Sequence, residues 1–276
     1  MRSAAGSGTK DGVSGAGDQN LLEMDHVSKA FGGLVAVQDL TFSISTGSIM
    51  SMIGPNGAGK STAFNLISGL YAPDEGTIRF KGEKIGGLSP DKVQARGIAR
   101  TFQNQRLFAN LSVLENVLIG LHSRLRAGLF GDVVKPPWVR REEKQARERA
   151  MEALALFDDR LVPHAHRRCV DLAYADRRLL ELARAIVSEP ELLMLDEPTA
   201  GMNPTELNGF MDYVRAIRDR GITVLLIEHN LPVVMGISEH IVVLDHGTKI
   251  AEGLPDEVRN SEQVIEAYLG RKAASA

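Results

Sequence analysis

Gly54-Pro55-Asn56-Gly57-Ala58-Gly59-Lys60-Ser61-Thr62 is the stretch that decides the fold. It satisfies the pattern G-x-x-x-x-G-K-[ST] at every fixed position, and its flanks agree with it. Ile49–Ile53 reads as a buried strand and Lys60–Leu70 as a helix, so the loop joins strand to helix. The glycines let the backbone turn its N–H groups inward around a polyphosphate, where a helix N-terminus adds positive potential. Lys60 is spaced to reach the outer phosphates, and the Ser61 hydroxyl to help hold Mg²⁺. A Gly-rich turn matching by chance would not bring strand, loop and helix in that order. All nine residues are therefore candidate contacts for a nucleoside triphosphate.

The bulk numbers bound what surrounds this loop. A chain of 276 residues suffices for one large α/β domain, or for a domain carrying an inserted subdomain. A net charge of −3 gives no reason to expect nucleic-acid binding. The single cysteine, Cys169, excludes an internal disulfide framework and fits a reducing compartment. No uncharged apolar run approaches the roughly 18 residues of a membrane span; Gly221–Ile227 is strand-like. Residues 1–20 are polar and rich in Gly, Ser and Ala, the composition of a disordered tail rather than of a secretory signal. If the protein works at a membrane, something else must anchor it.

Further along, Leu40–Ser45 alternates apolar and polar residues with the two-residue period of a half-buried strand. Ile78 and Phe80 alternate with Arg79 and Lys81 after a turn at Pro73-Asp74-Glu75-Gly76. Leu192–Leu195 and Ile222–Ile227 are short apolar runs, the pattern of central strands covered on both faces. A helix between them has a marked start: Asn203 as N-cap, Pro204 at the first helical position and Glu206 completing a capping box. The helix ends before Gly221, so the strands on either side of it pair in parallel. From about Val113 to Cys169 strand signals vanish. Val113, Val117 and Leu121 follow helical spacing, Arg140–Leu156 is a charged helical run, and Gly128–Trp138 with Pro136-Pro137 reads as a loop. The basic cluster Arg140, Arg141, Lys144, Arg147, Arg149 is interleaved with Glu142, Glu143 and Glu148, which marks a solvated helix face. The expected architecture is one domain over residues 21–270, with a helical subdomain at about 104–185 inserted in an α/β core and a short tail at 271–276.

Leu192-Leu193-Met194-Leu195 runs into Asp196-Glu197. A strand exposes its last residues at its carboxyl end, where ligands sit in open α/β sheets. Asp196 there is suited to hold Mg²⁺ and Glu197 to polarise an attacking water. Ile222–Ile227 ends at Glu228-His229, and as a neighbour of the Asp196 strand it would open onto the same pocket, with His229 toward the γ-phosphate. Gln103, in Thr101-Phe102-Gln103-Asn104, offers an amide to Mg²⁺ or the attacking water.

The order of these features resembles the nucleotide-binding subunit of ATP-binding-cassette (ABC) transporters, over nearly the whole chain from about Leu21 to Gly270. The resemblance implies a mainly parallel core sheet, a small antiparallel β region and an inserted helical subdomain. It implies that Phe31 stacks on adenine, Gln103 is the Q-loop residue, Asp196 and Glu197 end the Walker B strand, Ala200-Gly201-Met202-Asn203-Pro204 is the D-loop region and His229 is the switch histidine. The match is nearer still to the ATPases of branched-chain amino-acid importers. Phe31-Gly32-Gly33-Leu34, Arg100-Thr101-Phe102-Gln103, Gly128-Leu129-Phe130 and the closing Ala267-Tyr268-Leu269-Gly270 resemble that subfamily. A lipid or lipopolysaccharide exporter ATPase, which shares the closing Tyr-Leu-Gly, is the alternative, and a poorly hydrolysing ATP-binding subunit is another. The resemblance also implies ATP and Mg²⁺ as ligands, membrane permease subunits as partners, a second ATPase subunit in a heterodimer (a homodimer being the alternative), a solute-binding protein indirectly, and a peripheral position on the cytoplasmic face of the inner membrane.

One segment departs from the family. ABC subunits bind each ATP between one subunit's phosphate loop and the other's signature segment, typically Leu-Ser-Gly-Gly-Gln, or Leu-Ala-Tyr-Gly-Gln in this importer subfamily. Here it reads Leu172-Ala173-Tyr174-Ala175-Asp176. Ala175 adds a Cβ where backbone should approach the γ-phosphate. Asp176 brings a carboxylate toward an anion, at about 3 kcal/mol per charge pair for 5 Å and an effective dielectric near 20. A side chain turned outward, or paired with Arg177, would remove that cost. The expectation is that this chain's own loop is competent while the site it completes for its partner is impaired.

Overall fold

The computed structural model describes residues 20–101, 107–121 and 137–274. In chain order the strands are β1 (Asn20–Phe31), β2 (Leu34–Ser45), β3 (Ile49–Ile53), β4 (Glu75–Phe80), β5 (Glu83–Lys84), β6 (Ile98–Arg100), β7 (Leu192–Asp196), β8 (Thr223–Ile227), β9 (His240–Asp245) and β10 (Thr248–Gly253). The helices are α1 (Lys60–Ile67), α2 (Pro90–Ala95), α3 (Val113–Ile119), α4 (Pro137–Ala155), α5 (Asp158–Leu161), α6 (Tyr174–Ile186), α7 (Pro204–Asp219), α8 (Leu231–Ile237), α9 (Pro255–Arg259) and α10 (Glu262–Ala274).

Two sheets result. One is antiparallel, in the order β2-β1-β4-β5; the other runs β10-β9-β3-β8-β7-β6, parallel from β9 to β6 with β10 antiparallel at its edge. Every residue of β3, β7 and β8 is buried, because the six-stranded sheet is covered on both faces. Alternation along β8 divides its side chains. Val224 and Leu226 enter a core shared with α3, α4, α6 and α7, while Leu225 and Ile227 enter one shared with α1 and the antiparallel sheet. Continuous apolar runs are the signature of such strands. The helices after β6 thus pack into the same core as one face of the sheet: Val113, Val117, Ala150, Leu154 and Leu180 join Leu193 and Leu195 there.

Where expectation and structure differ, the causes are local. The helix read over Lys60–Leu70 stops at Ile67. Gly69 takes a left-handed φ of 76°, its N–H donates to Leu66 O at 3.3 Å, and Leu70 N donates to Asn65 O at 2.9 Å. That is the Schellman pattern, and it satisfies carbonyls the helix end leaves open. Pro137 and Trp138, read as loop, open α4, since proline's fixed φ and missing N–H suit a first helical turn. The rest of that loop reading, 128–136, lies outside the described residues. β4 begins at Glu75, inside the stretch read as a turn. β1 begins at Asn20, the last residue of the segment read as tail, and α10 continues through Arg271-Lys272-Ala273-Ala274, good helix formers, to Ala274. Residues 1–19 lie outside the described residues. The basic run of α4 behaves as expected: Arg140 and Arg141 are exposed, Lys144 and Glu148 pair at 3.7 Å, and Val139, Ala146, Ala150, Ala153 and Leu154 form the buried side. The start of α7 is also as read, with Asn203 Oδ1 accepting from Thr205 N and Glu206 N at 3.0 Å each and Asn203 N donating to Glu206 Oε2 at 2.9 Å.

Candidate functional site

β8 lies between β3 and β7, with Met52 and Asp196 both in register with Ile227. The loop 54–59, the pair Asp196-Glu197 and the pair Glu228-His229 therefore leave three adjacent strands at the same carboxyl edge. This is the juxtaposition that the apolar runs predict.

Glycine shapes the loop where it meets β9. Gly54 has a φ of 147°, and a Cβ there would lie 2.0 Å from Leu244 O. Gly54→Ala is expected to destabilise the protein by at least about 1–3 kcal/mol from backbone strain alone and to abolish tight ATP binding; thermal unfolding and nucleotide titration check both. At the far end of the loop, Gly59 is the N-cap of α1 and brings no side chain to the cap, and no acidic residue stands in the first turn. The first amides of the helix are left to an anion. Ser61 is exposed at that turn, whereas Lys60 is buried and donates from Nζ to Gly54 O at 2.7 Å and Pro55 O at 3.0 Å. An incoming polyphosphate would exchange those two carbonyls for its own oxygens.

Phe31 closes β1 at a hairpin of the antiparallel sheet and is exposed. The neighbouring strand is tied to the loop: Gln38 N donates to Gly247 O at 2.8 Å, and Gly247 N to Ala58 O at 3.1 Å. Tyr71, just past α1, meets the Phe31 ring edge-on at 5.0 Å, and Lys29 Nζ lies 5.6 Å from the ring centroid. This contact of Tyr71 was not legible, because a meeting of rings forty residues apart is not a sequence pattern. From the C-terminus, Tyr268 joins the cluster of Ile53, Val234 and Val243. Burial pushes its phenol up.

Asp196 ends β7 in a buried ion pair. Arg100 Nη2 donates to its Oδ2 at 2.9 Å, while Arg100 Nη1 donates to Asn65 Oδ1 at 2.7 Å and Ser68 Oγ at 2.9 Å. The sequence pattern gives Arg100 no role; the available signal is a cation in the short apolar strand preceding Gln103. Glu197 is half-buried, holds a φ of 47°, and donates its N–H to Ile227 O at 3.0 Å. A non-glycine residue in that conformation stores strain of the kind found at functional sites. The His229 side chain is 60% exposed, so it can turn toward a ligand. Gln103 lies outside the described residues. Among the described residues no cluster of three or more His, Cys, Asp or Glu could hold a metal.

In the signature segment Asp176 has a partner within the chain. Asp176 pairs with neither solvent nor Arg177. Its Oδ1 accepts from Arg160 Nε at 2.8 Å and lies 2.5 Å from Nη2 of the same guanidinium, and its side chain is 14% exposed. Arg177 turns instead to Leu172 O and Val170 O. Ala175 is buried, so its methyl does not project into solvent, and Ala173 caps α6 without a side-chain hydrogen bond.

Fold and loop together define an α/β nucleotide-binding protein with a phosphate loop, and comparison with known proteins gives its family. Residues 37–200 match the ABC transporter family, and residues 248–274 match the branched-chain amino acid ATP-binding cassette transporter family. The high-affinity branched-chain amino acid transport ATP-binding protein LivG of Salmonella typhimurium is 44% identical over 91% of this chain and 98% of its own length. The crystal structure of the ADP conformation of an ATP-binding cassette of an ABC transporter superposes with a TM-score of 0.80 at 31% identity, covering 91% of this chain and 99% of that one. A dimeric post-hydrolysis cassette bound to ADP and Pi superposes with a TM-score of 0.70 at 25% identity, covering 85% of this chain and 98% of that one. The chain belongs to the ABC transporter ATP-binding cassettes, ATPases whose hydrolysis of ATP powers transport. Among the described residues no helix is long and apolar enough to cross a membrane.

Proposed function

We propose that this chain is the ATP-hydrolysing subunit that powers uptake of branched-chain amino acids or related small solutes, bound to permease subunits at the cytoplasmic face of the inner membrane and paired with a second cassette. The observation that carries the reading is the convergence of the phosphate loop, Asp196-Glu197 and His229 on one edge of β3, β8 and β7. The substrate class rests on the likeness to LivG and on the C-terminal segment 248–274.

In this reading Phe31 receives the adenine, the amides and Lys60 of residues 54–62 hold the phosphates, Glu197 accepts the proton of the attacking water and His229 contacts the γ-phosphate. The oxygens of Ser61 and Asp196, joined by Gln103, fit Mg²⁺, a hard cation held by few protein ligands and by substrate phosphates. Bound there, Mg²⁺ would neutralise charge on the phosphates. Gln103 would sit at the junction of a single cassette over 21–270 and a helical subdomain over about 104–185. A cleft of about 280 Å³ bordered by Ser68, Leu70, Val93, Arg100, Gly120 and Arg184 is the proposed permease dock. Because Arg100 lines the cleft and binds Asp196, movement there reaches the nucleotide edge through one side chain.

With Asp176 neutralised by Arg160, the site this chain completes for a second cassette is proposed to be active. Arg160→Gln is expected to lower the transporter ATPase several-fold by exposing the Asp176 charge, at about 3 kcal/mol per unit pair before screening. In an Asp176→Gln background the same change is expected to have no further effect. Steady-state ATPase assays of the four assembled variants check this; equal losses in both backgrounds would contradict it. Uptake tests the function as a whole. A strain lacking the chain should lose radiolabelled leucine uptake and regain it with the wild type but not with Lys60→Ala. Unchanged uptake in the deletion strain would overturn the substrate assignment.

A further inference from the structure

We propose that Glu228 is a positioning residue that ties the loop carrying Glu197 to the loop carrying His229, so that the two move as one body during ATP hydrolysis; the inference rests on the ATPase reading of this edge. Glu228 is fully buried. One carboxylate oxygen, Oε1, accepts from the backbone N of Thr199 at 3.0 Å and from the Thr199 hydroxyl. The other, Oε2, accepts from His229 N at 3.0 Å and Asn230 N at 3.1 Å. Thr199 stands two residues beyond Glu197 and opens the segment 199–203. Asn230 in turn caps α8 by accepting from Val233 N at 3.4 Å. A single side chain thus spans the ends of β7 and β8.

The chemistry of the group explains why it is a carboxylate. Burying one is costly unless its lone pairs are met, and here three backbone N–H groups and one hydroxyl meet them. A glutamine of the same shape turns an NH₂ donor toward the donors of one loop and offers the other only a neutral acceptor in place of a charged one, so it weakens the hold on both. An apolar residue would satisfy neither. The tie also continues beyond Thr199: Gly201 lies against the Tyr174 ring, where an added methyl would come within 3.4 Å, and Arg178 Nη2 donates to the Tyr174 hydroxyl at 3.1 Å. The segment that Thr199 opens thus runs past the first residue of α6.

Glu228→Gln, Thr199→Val and the double variant of the full chain test this by backbone hydrogen–deuterium exchange and by ATPase kinetics. Glu228→Gln should raise exchange about tenfold or more in both 197–204 and 228–233, the scale of losing hydrogen bonds to a charged group, with residues 54–62 unchanged. It should lower kcat by a similar factor, about tenfold, while KM for ATP stays within about threefold, because the group positions loops and does not hold nucleotide. Thr199→Val should act in the same direction more weakly and add nothing to Glu228→Gln. Faster exchange in one segment alone, additive effects of the two substitutions, or an unaltered kcat would each overturn the tie. Exchange needs no nucleotide, so a wild-type chain without ATPase activity would overturn the functional reading while exchange alone still decides the tie.

Discussion

Glu197→Gln is expected to lower kcat for ATP hydrolysis by about 10²–10⁴-fold, the range by which a positioned general base accelerates proton transfer, while affinity for MgATP stays within a few-fold. Glutamine keeps the shape of the side chain and loses the ability to take a proton. The position favours that role: Glu197 stands one residue past the end of β7, half-buried, beside the Asp196 carboxylate. Its left-handed backbone, with φ at 47° and its N–H held by Ile227 O, fixes where the side chain leaves the sheet. Such strain persists only where surroundings hold it. Single-turnover hydrolysis, together with equilibrium binding of a fluorescent ATP analogue, separates the two effects. A kcat within threefold of wild type would remove Glu197 from the chemistry, and a matching loss of affinity would make it a binding residue instead.

Arg100→Met is expected to destabilise the fold by about 3–5 kcal/mol, the cost of leaving one member of a buried ion pair alone. The side chains of Arg100 and Asp196 are 9% and 10% exposed. Methionine retains much of the aliphatic stem that packs beside Phe64, whose ring lies 5.6 Å from the guanidinium carbon. It removes the hydrogen bonds to Asn65, Ser68 and Asp196 together. At about 2–4 °C per kcal/mol for a chain of this size, Tm should fall by roughly 6–20 °C. Adding Asp196→Asn should recover a large part of that loss, since the uncompensated charge is gone. Failure of the second change to recover stability would assign the loss to packing. The pair also matters for function: the carboxylate proposed to face Mg²⁺ is held by a cation reaching from the strand that precedes Gln103.

Much of the site was legible because its chemistry depends on residues adjacent in sequence. The phosphate loop needs glycines, a lysine and a hydroxyl at fixed spacing, and Asp196-Glu197 needs a buried strand that ends on them. The parallel pairing of β7 and β8 followed from two apolar runs separated by a well-capped helix, and it brought His229 to the same edge. Helix ends were less legible. Whether α1 stops at Ile67 or runs on to Leu70 turns on Gly69 adopting a left-handed φ, which the apolar pattern does not encode. The partner of Asp176 was not legible for a different reason. Sequence gives Asp176 its charge, but its partner Arg160 comes from another helix, and Arg177, the nearer cation, points elsewhere.

By itself the sequence determined what this protein handles: a nucleoside triphosphate on a phosphate loop, flanked by an acid pair and a histidine, in a chain that resembles an importer ATPase. Local spacing is sufficient for that, because backbone turns and strand ends are properties of neighbouring residues. The tertiary structure alone decided which charges are neutralised and which loops are joined. Arg100 meets Asp196, Arg160 meets Asp176 and Glu228 gathers Thr199, His229 and Asn230, each across a gap the chain closes only on folding. A buried charge is tolerated only where folding brings it a partner, and no local pattern says which residue that will be.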